Sequence, residues 1–154
     1  MVDPCYLVRS AIIATSTITN LLGIQAGQLA PGDGVYTGDL PEDFNPELGP
    51  GIQVLSDGGL GDSEITAQVD ARVMIKVWAR PNDQTAARNV FRAVYDLLAN
   101  LTMKDFGSEG RILTSIPQDT GQDISDPPTG WACVLGIFAV KCIETQTQNY
   151  TPIS

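Results

Sequence analysis

The chain has 154 residues, 43% apolar and 18% charged, with 9 basic and 18 acidic side chains, no histidine and a net charge of −9. That size suits one domain able to bury a core without staples, and the composition excludes a disordered polypeptide. The acidic surplus argues against gripping nucleic acid, which needs a basic face to displace counterions, and no apolar run approaches the roughly 18 residues that cross a bilayer.

The start, Met1-Val-Asp-Pro-Cys5, has neither a basic nor an apolar leader segment, so a chain that stays in the cytoplasm, or joins something assembled there, is expected. Asp3-Pro4 is a helix start, with Asp as N-cap and Pro at the first helical position. Leu7, Ala11, Ala14, Ile18, Leu21 and Leu22 recur at steps of three and four, which predicts one amphipathic helix from Asp3 to Leu22, closed by Gly23.

Residues 25–63 change character, with nine glycines and four prolines. They predict a long Pro/Gly/acidic loop inserted in the domain, carrying two short strands at Val35-Tyr36 and Ile52–Leu55. Between Ser10 and Ala71 the chain holds nine acids and no Lys or Arg. Asp39, Glu42, Asp43, Glu47, Asp57 and Asp62 of this stretch are read as an interaction surface, since long loops in compact domains are commonly functional.

Residues 64–80 predict a long strand. Ala71, Val73, Ile75, Val77 and Ala79 point one way, and Arg72, Met74, Lys76, Trp78 and Arg80 the other. Two readings of the second face stand side by side. Either helix residues or the long loop cover Trp78 while the cations snorkel outward, or Arg72, Met74, Lys76, Trp78 and Arg80 form a subunit or partner interface, where Trp, Met and Arg are enriched.

Pro81 ends this strand, and Asn82 or Asp83 caps a second helix to about Leu101, with Ala87, Val90, Phe91, Val94, Tyr95, Leu98 and Leu101 on one face. Arg111–Ile116 is a further strand, followed by a polar loop. Trp131–Glu144 is apolar on both faces and so predicts a central strand. Residues 145–154 read as a polar C-terminal tail. The expectation is a single α+β domain over residues 1–144, a mostly antiparallel sheet with two amphipathic helices packed on it.

Chemistry is sparse in this pattern. Without histidine the commonest general base and metal ligand are missing. The three cysteines, Cys5, Cys133 and Cys142, have no metal-ligand spacing. Cys133 and Cys142, nine residues apart in one strand, stand about 30 Å apart, far beyond disulfide reach. Asp57-Gly-Gly-Leu-Gly-Asp62 lacks the Gly-Lys-Ser/Thr of a phosphate loop. No catalytic residue, metal or cofactor is therefore expected.

The strand Val69-Asp-Ala-Arg-Val-Met-Ile-Lys-Val-Trp-Ala-Arg80, running into the helix Ala86-Ala-Arg-Asn-Val-Phe-Arg-Ala-Val-Tyr-Asp-Leu-Leu98, follows an opening helix, Val35-Tyr36 before Leu40-Pro41, and Ile52-Gln-Val-Leu55. Over residues 3 to 145 this order resembles the tail terminator (tail completion) proteins of long-tailed bacteriophages, with a longer acidic loop and a longer polar tail. The resemblance implies a structural virion protein of the tail and neck, assembled in the host cytoplasm. It implies a homo-oligomeric ring, of hexamer type, that stops growth of the tail tube protein and presents a surface to a head-side connector, while DNA passes without specific binding; the Trp78 face and the acidic loop are then the two ring patches, or the acids line the channel. A head-tail connector or stopper, a non-viral oligomeric α+β binding module and a small carboxylate- or lysine-based enzyme are the alternatives.

Overall fold

The computed structural model describes residues 2–23, 34–57, 61–62, 68–126 and 128–144. The predicted polar tail and parts of the predicted glycine-rich loop lie outside these. Helix α1 (Pro4–Ile13) opens where the sequence places it: the Asp3 carboxylate accepts the backbone N–H groups of Cys5 and Tyr6, satisfying donors that have no partner inside the helix. The expected single helix to Leu22 breaks at Ala14-Thr15. Thr15 takes an extended conformation and its hydroxyl donates back to the Ala11 carbonyl, so the β-branched run behind it forms only a short turn, α2 (Ser16–Thr19). Ala14 and Leu21, placed on the apolar stripe by spacing, are exposed because the axis changes there.

Among the described residues the sheet comprises eight strands: β1 (Val35–Thr37), β2 (Gly51–Ser56), β3 (Gly61–Asp62), β4 (Gln68–Ala79), β5 (Thr102–Asp105), β6 (Arg111–Pro117), β7 (Gln122–Ser125) and β8 (Ala132–Ile143). Helix α3 (Gln84–Ala99) lies between β4 and β5. The order across the sheet is β1-β2-β4-β8-β6-β5, with β3 continuing the row beside β4 and β7 beside β8. All pairings are antiparallel except β1 with β2. The polar stretch after Pro117 contains β7, and Thr102–Asp105 adds the edge strand β5; neither carries the apolar alternation that reveals a strand in a sequence.

Strands β4 and β8 pair along their whole length, from Gln68 with Ile143 to Ala79 with Ala132, and both are flanked on their other sides. That is why β8 is apolar on both faces. Val73, Ile75 and Val77 of β4 and Val134, Phe138 and Val140 of β8 form the inner face, on which α1 and the Ala87, Val90, Phe91, Val94 and Leu98 stripe of α3 pack. Gly136 lies on this face beneath the Phe91 ring, where an added Cβ would overlap the aromatic carbons. Asp83 caps α3 by accepting the Ala86 N–H at 3.2 Å. The α-helices of the described residues all contribute to this inner core.

Candidate interaction surface

The outer face of the sheet divides into a covered half and an open half. In the covered half, Trp78 stands opposite Cys133 on β8 and Gly51 on β2. Phe44 reaches back from the acidic loop and lies over Gly51, whose missing side chain leaves room for its ring. Phe44 meets Tyr36 edge-on at 5.9 Å and Trp131 at 5.6 Å, and Trp131 meets Trp78 at 6.1 Å; such edge-to-face contacts add to the burial itself. Trp78 is 9% exposed and Phe44 6%. The buried indole N–H donates to Gln53 Oε1 at 3.0 Å, and Gln53 Nε2 donates to the Gly38 carbonyl at 2.7 Å, so the polar atoms under the loop are matched.

The loop between β1 and β2 is thus anchored rather than open. Pro46 is buried, the turn Pro46–Leu48 is a 3-10 helix, and the Asn45 side chain caps it by accepting the Glu47 N–H. Asp39, Glu42, Asp43 and Glu47 nevertheless all point to solvent. Asp57, at the end of β2, is half-buried and pairs with Arg72 at 3.4 Å. The position of the Asp62 side chain lies outside the described residues.

The open half begins two residues along β4 from Trp78. Arg72, Met74 and Lys76 alternate on it, and the register sets Ala139, Ile137 and Leu135 of β8 directly beside them. Leu55 of β2 stands beside Met74, and Ile116 of β6 beside Ala139. Ile116 is 56% exposed. A shallow depression of about 260 Å³ runs between Asp70, Arg72, Thr114, Ile116, Ala139 and Lys141. This is an apolar strip with Arg72, Lys76 and Lys141 on its border, the composition of a protein contact rather than of a reaction site.

Of the residues singled out by alternation, Arg72, Met74 and Lys76 share the open half. Trp78 belongs to the covered half, as in the first of the two readings, with Lys76 Nζ 5.8 Å from its ring. Arg80 lies beyond the strand, where it pairs with Asp83 at 3.0 Å, and it shares no surface with Arg72. Leu55, Ile116, Ile137 and Lys141 complete the patch; sequence reading missed them because they come from other strands and only the register brings them together.

Burial holds the three thiols toward the protonated form. Cys133 lies in the covered half and Cys142 in the inner core, on opposite faces of β8. Burial pushes the Cys133 and Cys142 thiols up to about 12, and the Cys5 thiol up to about 11. Among the described residues no group of three or more Cys, Asp or Glu is placed to hold a metal ion, and no helix is long and apolar enough to cross a membrane.

No family model matches the chain, and no curated protein matches it. Among solved structures, a chain from the virion of a native gene transfer agent particle has the same fold, with a TM-score of 0.62 and 17% identity over 88% of this chain and 91% of that one. At that identity the likeness is one of fold.

Proposed function

We propose that this protein is a structural component of a phage-type virion, a tail terminator that forms a ring on the end of the tail tube, stops its polymerisation and offers the surface to which the head joins. The observation that carries the reading is the match of the fold, over 88% of this chain, to a chain of a virion particle, combined with the element order that resembles the terminator family. The sheet supports it physically. One face is filled by helices, while the other keeps an apolar strip bordered by cations and half uncovered, a surface suited to assembly.

On this reading the protein is not an enzyme. Its partners are further copies of itself, the tube protein and a head-side connector, and the passing DNA meets a surface that is acidic in sum and does not hold it. A ring of identical subunits needs two different patches on each, because head-to-tail contacts close by rotation.

The test is addition of the purified protein to polymerising tube protein from the same genome, followed by electron microscopy of tube length and tube ends. A terminator produces shorter tubes, each carrying a ring at one end, probed most simply by image averaging for six-fold symmetry. Tubes of unchanged length with bare ends, together with capture of the protein by head-side connector rings, would replace the terminator with the connector role. Binding to neither would remove the virion reading.

A further inference from the structure

We infer that the open half of the outer sheet face is the seat for the acidic loop of a second copy of this chain, so that copies join head to tail. The inference rests on the ring proposed above and assigns its two patches.

The first patch is the strip of exposed Ile116 and half-buried Met74 and Ile137, with Arg72, Lys76 and Lys141 around it. The second is the loop, which presents Asp39, Glu42, Asp43 and Glu47 to solvent beside the 46% exposed Leu48. Asp57 and Asp70 lie near the first patch, and Asp57 already offsets Arg72 in part at 3.4 Å. Lys141 carries no carboxylate within ion-pair distance among the described residues. Asp70 stands opposite Lys141 in the register without an ion pair between them, so Arg72, Lys76 and Lys141 outweigh Asp57 and Asp70 by one charge, while the loop of the second patch carries acids and no Lys or Arg.

Within one molecule the loop borders only the Lys76 end of the first patch and cannot reach its Lys141 end. Phe44 fixes the loop over the Trp78 end of β4, where Trp78 pairs with Cys133. Lys141 is eight residues farther along β8, about 26 Å away at 3.3 Å per residue. A loop pinned by a buried aromatic ring does not cross that span. The complementarity is left for another copy, and because the patches differ, the contact is heterologous: each copy uses its face for one neighbour and its loop for the next, which gives a ring or a filament. Anchoring by Phe44 also means that little loop freedom is lost on binding.

The experiment uses two full-length variants and needs no tube protein. In the first, Arg72, Lys76 and Lys141 become Glu; in the second, Glu42, Asp43 and Glu47 become Lys. Sedimentation velocity and native mass spectrometry follow association at low and at high salt. Wild type is expected to associate at low salt and to dissociate as salt rises. Each variant alone should lose about tenfold or more in association constant. An equimolar mixture of the two should recover it, because reversed faces then meet reversed loops. Circular dichroism of each variant establishes that it is folded. A wild type that stays monomeric at low salt overturns the inference, as does a folded pair of variants whose mixture fails to associate. Either result leaves the terminator role to be decided by the tube-capping assay. Unchanged association of the first variant would move the interface to another surface.

Discussion

Replacing Phe44 with alanine probes how the acidic loop is held. The ring is 6% exposed, fills the space over Gly51 and touches Tyr36 and Trp131 edge-on. Truncating a buried Phe costs about 3–5 kcal/mol, and each aromatic contact accounts for about 0.5–1.5 kcal/mol. The site sits under a loop at the margin of the sheet, where water enters the vacated space once the loop lifts. The lower end, about 3 kcal/mol, is therefore expected. For a domain of this length that lowers Tm by about 6–12 °C. The assay has a built-in reporter, because the chain has 2 tryptophans and both, Trp78 and Trp131, belong to this cluster. Their emission should shift to the red and become open to acrylamide quenching in Phe44→Ala. The control is Leu48→Ala on the same loop, which is half exposed and should stay within about 0.5 kcal/mol of wild type. A Tm for Phe44→Ala within about 2 °C of wild type, with unchanged emission, would refute the claim that the loop is pinned.

Trp78→Phe removes the indole donor to Gln53 and part of the buried ring volume, so it should cost about 2 kcal/mol or more in denaturant melts; no loss would mean that water fills the space and replaces the bond. Gly136→Ala places a methyl group against Phe91 and should destabilise by about 1–3 kcal/mol despite its conservative chemistry, with Phe91→Leu in the same chain relieving part of the effect. Asp83→Ala removes the cap of α3 and should cost about 1 kcal/mol, most of it restored by Asp83→Asn, since the exposed pair with Arg80 adds little. The thiols of Cys133 and Cys142, pushed from 9.0 to about 12, stay protonated in the fold while those of the unfolded chain ionise. The unfolded state then binds fewer protons, so this contribution is complete below pH 9 and falls away as pH rises from about 9 to 12. Alkaline melts measure it, and rapid labelling of all three cysteines by a disulfide reagent in the native protein at pH 8 would contradict it.

The α+β class, the antiparallel character and the order of the main elements were legible because they rest on local rules. Asp3-Pro4 and Asp83 are caps whose side chains reach only three residues, and the alternation of Ala71 to Ala79 states which face of β4 is buried wherever the strand lies. The break at Thr15 was less legible, since a β-branched run costs a helix little per residue and only the packing around α1 shows where the axis turns. Strands β5 and β7 could not be read at all, because edge strands made of Thr, Lys, Asp and Gln are held by their neighbour's backbone and not by their own pattern.

The candidate surface divides the same way. Arg72, Met74 and Lys76 share a face by the two-residue period of one strand, which is a property of the sequence. That Trp78, on the same face, is buried depends on Phe44, thirty-four positions earlier in the chain, and on Trp131, fifty-three later. That Arg80 leaves the group depends on where β4 ends and Asp83 begins a helix. That Leu55, Ile116, Ile137 and Lys141 join it depends on strand register. A single-strand pattern states which side of a sheet a residue occupies, but coverage of that side is decided by segments distant in sequence, so only the tertiary structure separates the half of the face that is closed from the half that is open.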